Sequence, residues 1–88
     1  MRNTISRAEL HARFSAALAA HPAAGDGTFV FEIDVKEPDA DGCNWYPLAS
    51  IHHWTGDLNA NLAAFRAVRE ELCRDFNVEE SVGAVLTT

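Results

Sequence analysis

The chain has 88 residues, of which 48% are hydrophobic and 23% charged, and its formal net charge is −6. A chain of this size buries only about 63% of its unfolded surface, which allows one modest core and leaves little for a deep substrate cleft. The acidic balance argues against nucleic acid and anionic membranes as partners, because both would repel it.

The N-terminus carries no apolar stretch after its charge, so the reading expects no signal peptide and no membrane span. Two cysteines, Cys43 and Cys73, are too few for a disulfide-stapled secreted scaffold. The expected location is cytoplasmic, with both thiols reduced.

Ser6-Arg7-Ala8-Glu9 fits a capping box, in which the Ser6 hydroxyl and the Glu9 carboxylate each satisfy a free N–H. Leu10, Phe14, Ala17, Leu18 and His21 follow at helical spacing, and Pro22 and Gly25 end the run. This predicts a helix over about 7–20.

The period then changes. Over 28–36, Phe29, Phe31, Ile33 and Val35 alternate with Val30, Glu32, Asp34 and Lys36, the pattern of a half-buried strand. The stretch Glu37 to Gly42 reads as a loop. A second extended run over 43–54 carries bulk on both faces, with Pro47 marking an edge, a bulge or a break. The two runs are most simply an antiparallel hairpin.

Asp57 is the expected N-cap of a second helix over about 58–75. Its apolar stripe is Leu58, Leu62, Phe65, Val68, Leu72 and Phe76. The tail, 78–88, reads as a short third strand or a disordered end. The predicted fold class is α+β: a single small domain in two layers, helix-strand-strand-helix, with an antiparallel hairpin covered on one face by two helices. Phe14, Leu18, Phe31, Ile33, Leu62, Phe65 and Leu72 are the expected core.

No arrangement supports catalysis or a cofactor. Glu37, Asp39, Asp41 and Gly42 match positions 1, 3, 5 and 6 of a calcium loop, but the bidentate position falls on Leu48. Asp39, Asp41 and His53 are therefore candidates for weak divalent binding at most. His52 and His53, adjacent on a strand, would point to opposite faces. Cys43, among carboxylates, would be a blunted thiol.

The informative residues are apolar. Trp45, Tyr46, Leu48 and Trp54 are more bulk than one buried face can use, so they are the candidate partner-binding residues. The expected activity is contact with a protein, either another chain or a second copy in a homodimer, with no enzymatic role.

The stretch Phe-Val-Phe-Glu-Ile-Asp-Val-Lys-Glu-Pro-Asp-Ala-Asp-Gly-Cys-Asn-Trp, 29–45, resembles small bacterial proteins that have no assigned function. Pro38-Asp39, Gly42-Cys43 and the Gly56-Asp57 helix start are also similar to HicB-like antitoxins. There the turn and the helix start lie nearly adjacent, whereas here an extra strand separates them and a helix precedes both. That resemblance implies an inhibitor that covers a basic partner. A small metal-dependent accessory enzyme using His52 or His53 with Asp39 or Asp41 is the reading from a different class.

Overall fold

The structure, a computed structural model, describes residues 3–22, 28–40 and 42–79. It is a small mixed α/β fold with two helices and short strands in two small sheets. In chain order the elements are β1 (Asn3–Ile5), α1 (Arg7–Ala20), β2 (Phe31–Val35), β3 (Trp45–Ala49), α2 (Leu58–Asp75) and β4 (Phe76–Val78). None of the described helices is long and apolar enough to cross a membrane.

Both helices start where the sequence predicts. The Ser6 Oγ accepts from the Glu9 N–H at 3.1 Å, and the Asp57 Oδ1 accepts from the Ala60 N–H at 3.2 Å. The capping box differs in its second half. The Glu9 carboxylate turns along the helix to Arg13, with Oε2 3.1 Å from Nε and 3.0 Å from Nη2, because an i,i+4 cation is within reach on the same face. α1 stops at His21, which is extended at ψ 129°, as expected for a residue preceding proline.

β2 and β3 pair antiparallel, with Phe31 opposite Ala49, Ile33 opposite Pro47 and Val35 opposite Trp45. β2 is shorter than the expected 28–36, and β3 is shorter than the expected 43–54. The last ladder bond beyond β3 runs from the Ser50 N–H to the Val30 carbonyl. The chain then closes a 3-10 turn, Ile51–His53, whose bonds run from His53 N–H to Ser50 O and from Trp54 N–H to Ile51 O. That turn redirects the chain toward α2.

The second sheet was not expected. β1 and β4 pair in parallel, Asn3 opposite Phe76 and Ile5 opposite Val78, and the Glu79 N–H extends the pairing to the Ile5 carbonyl at 2.9 Å. β1 runs into the cap of α1, and β4 leaves α2 without an intervening residue. The strand expected in the tail over 82–86 lies outside the described residues.

The core joins α1, α2 and the hairpin. Leu10, Phe14 and Leu18 come from α1, Phe31 and Ile33 from β2, Trp45 from β3, and Ala64, Phe65, Val68 and Leu72 from α2. The Phe14 ring lies 4.8 Å from Phe31, 4.9 Å from Phe65 and 6.1 Å from Trp45, centre to centre. Leu62 is a correction: it is half-buried, and Asn61 takes the buried position in the first turns of α2. The Asn61 Nδ2 donates to the Thr55 carbonyl at 2.7 Å, which rotates the buried stripe to 61, 64, 65, 68 and 72.

Candidate contact surface

The register of the hairpin decides what each residue of β3 can do. Lys36 N–H donates to Asn44 O, and Ser50 N–H donates to Val30 O. In an antiparallel ladder hydrogen-bonded and non-bonded pairs alternate. The bonded pairs are therefore Val30–Ser50, Glu32–Leu48, Asp34–Tyr46 and Lys36–Asn44. Phe31, Ile33, Val35, Trp45, Pro47 and Ala49 direct their backbone groups to the two outer edges.

Both edges are guarded. On β2, the Phe31 carbonyl accepts from His11 Nε2 at 3.0 Å, and the His11 ring stacks on Phe31 with 4.4 Å between centres. The Val35 N–H is taken by the Oδ1 of Asp34 at 3.0 Å. On β3, Pro47 sits at the middle outward position and has no N–H to offer.

The side chains divide the same way. Phe31, Ile33 and Trp45 face the helices and are buried. The other face carries Val30, just ahead of β2, Glu32 and Asp34 from β2, and Tyr46 and Leu48 from β3. On it Leu48 is 52% exposed and Val30 45%. The Tyr46 hydroxyl donates to Asp34 Oδ2 at 3.1 Å. That hydrogen bond, and then the carboxylate's charge, push the phenol above its ordinary range.

The four residues expected to bind a partner thus separate. Trp45 is 0% exposed, and its Nε1 donates to the Phe76 carbonyl at 3.0 Å. It belongs to the core, because its strand position faces the helices. Trp54 is half-buried; its Nε1 donates to Val30 O at 2.9 Å and its ring packs against Phe29 and Phe65. Tyr46 and Leu48 lie on the outward face. Ile51 at 41% and Leu58 at 46% exposure are also open, Leu58 although it was expected in the apolar stripe of α2. A period-2 reading carried through 54 could not place Ile51, which lies in the 3-10 turn.

Among the described residues, the candidate ligands Asp39 and His53 belong to no group of three that could hold a metal. Asp39 is committed to its own turn: Oδ1 accepts from the Cys43 N–H at 3.2 Å and Oδ2 pairs with Lys36 Nζ at 2.8 Å. The Gly42 N–H closes the turn on Asp39 O at 2.9 Å, and Gly42 holds φ 86°, a conformation that favours glycine. Asp41 lies outside the described residues. His52 and His53 do not oppose each other; the 3-10 turn sets their exposed rings 4.7 Å apart. Among the described residues, no three His, Cys, Asp or Glu side chains are placed to hold a metal.

Two further features were missed. The segment 42–45 and β4 exchange side-chain amides. Asn44 Nδ2 donates to Val78 O and Asn44 Oδ1 accepts from Val78 N–H, each at 3.0 Å. Asn77 Nδ2 donates to Gly42 O at 3.0 Å, and Asn77 Oδ1 accepts from Asn44 N–H at 3.4 Å. The second feature corrects the reading of two separate thiols: Cys43 and Cys73 are joined as a disulfide, with Cα atoms 5.7 Å apart. An available signal was the count of two, which permits only one internal pairing.

A cavity of about 240 Å³ lies between α1 and the approach to β2, lined by Ser15, Leu18, Ala19, Thr28, Phe29 and Phe31. Among the described residues its lining carries no titratable side chain. In comparisons with known proteins the chain matches no family model, no curated protein and no solved structure.

Proposed function

We propose that the protein is a non-catalytic binding module acting through protein–protein contact at the outward face of the β2–β3 hairpin. The observation that carries this reading is the exposure of Leu48, at 52%, beside Val30, at 45%, on a strand whose other face is sealed around Trp45. The reading takes the molecule as two layers, α1 and α2 covering the inward face. It is supported by Phe14 and Phe65 packing on Phe31.

The guarded edges favour contact through side chains over strand addition. Glu32 and Asp34 flank the apolar residues, so the best-matched partner presents an apolar group surrounded by Lys or Arg. This is also what the antitoxin resemblance implies. A second copy would bring like charges together, and nucleic acid would meet the same acidic face.

A synthetic amphipathic Leu/Lys peptide is the probe. Titrated into labelled protein, it should shift the amide resonances of Val30, Glu32, Tyr46 and Leu48. The response should weaken between about 0.05 and 0.5 M salt, as screening shortens the reach of the carboxylates. Leu48→Lys should abolish it. Shifts scattered over both faces would refute the assignment. Sedimentation up to about 0.5 mM, where weak contacts of small area become populated, tests the second copy. A dimer broken by Leu48→Lys would give the same face to self-association.

A further inference from the structure

We propose that Cys43 and Cys73 form a reversible thiol–disulfide clasp, opened by thiols, whose state sets how firmly β4 is held to the loop that precedes β3. The Cα separation of 5.7 Å lies within the range that a disulfide spans without moving the backbone. The bond joins residues 30 apart in sequence. It ties the segment before β3 to the last turn of α2, from which β4 continues directly, while the Asn44 and Asn77 amides and the Trp45 indole tie the same segment to β4 itself. Covalent and non-covalent contacts therefore require one shared arrangement. By linkage each strengthens the other: the amides hold the thiols at bonding distance, and the bond holds the amides in register.

The exchange is asymmetric. Cys43 is buried at 2% exposure, while Cys73 is half-buried. An incoming thiolate attacks the Cys73 sulfur, the Cys43–Cys73 bond breaks, and Cys43 leaves as a thiolate that takes up a proton. Its sulfur lies 3.4 Å from the Trp45 carbonyl, which accepts the S–H. A second thiol of the reductant then displaces Cys73. Two electrons and two protons reach the protein, and the reductant becomes a disulfide. A small-molecule disulfide reverses the sequence. Because Glu79 N–H is bound to Ile5 O, loosening β4 also loosens β1.

The test is equilibration in reduced and oxidised glutathione, followed by alkylation and mass spectrometry. The native chain should collect as the internal disulfide with little glutathione adduct. The Asn44→Ala, Asn77→Ala double variant should lower that equilibrium constant by about tenfold or more, the scale of ordinary coupling between sites. An adduct without an internal bond, or an unchanged constant in a folded variant, would overturn the proposal. A second measurement needs no variant. Hydrogen exchange at the Val78 and Glu79 amides should accelerate on reduction by a larger factor than at Phe65 and Val68 in α2. Equal factors, or no change, would mean that the bond does not act on β4, and the clasp would fail.

Discussion

Trp45 and Trp54 stand nine positions apart in a stretch that reads as one strand, and each donates its indole N–H to a backbone carbonyl, Trp45 to Phe76 and Trp54 to Val30. They nevertheless do different work. Trp45 is sealed at 0% exposure against Phe14, and its hydrogen bond ties the hairpin to β4. Trp54 lies past the 3-10 turn, half-buried on Phe29 and Phe65, and closes the end of the hairpin. Two residues of one type are separated by where the strand stops, because regular alternation of faces ends there.

The largest effect should come from Trp45→Ala. Emptying a fully enclosed tryptophan site costs about 3–5 kcal/mol. For so small a domain that is most of the expected stability, so the cooperative urea transition should be lost or nearly so. Trp54→Ala removes a ring that water already reaches in part and should cost roughly half as much, with a cooperative melt retained. Equal losses would erase the contrast.

Asn44→Ala should come next. It leaves the Val78 N–H and carbonyl without their amide partner, a loss of about 1–3 kcal/mol for groups that are partly out of water. Urea midpoints measure it. Combining it with Asn77→Ala should cost less than the sum, since the two amides share one interface.

On the outward face the effects should be small. Leu48→Lys should stay within about 0.5 kcal/mol of the parent, as expected for an exposed position. A variant that unfolds would show that Leu48 is structural and would dissolve the distinction between the two faces.

The smallest effect is a titration. The Tyr46 phenol, hydrogen-bonded to the Asp34 carboxylate, ionises above its ordinary value, by the bond first and the charge second. A raised folded-state value means that the neutral phenol is favoured by folding. Its contribution is complete below the unfolded pKa and lost as pH rises through the folded one. Near-ultraviolet absorbance should show tyrosinate forming later in the native protein than in urea, and Asp34→Asn should bring the native value back toward the ordinary one.

Much of the local structure was legible. Ser6 and Asp57 act as caps because a short side-chain acceptor ahead of a helical stripe satisfies free N–H groups locally. Both helices span the residues expected, and β2 shows the alternation expected of it over 31–35. What was not legible depended on contacts distant in sequence. β4 is three residues with no periodic signal, and its partners are β1 at the other end of the chain and Asn44 in the loop. Asn61 lies outside the apolar stripe expected of α2, yet it is turned inward with its amide bonded to Thr55.

The sequence by itself determined the two helices and their caps, the core face of α1 and of β2, and the acidic character of the outward face. These follow from period, capping chemistry and charge, each of which acts over a few residues. Only the tertiary structure decided that Trp45 is core while Leu48 is surface, that Pro47 lies at the outward middle of its edge, and that Cys43 meets Cys73. Such pairings depend on ladder register and on the close approach of segments roughly thirty residues apart. Nothing local encodes that approach, because the closing of a loop changes only slowly in free energy with its length.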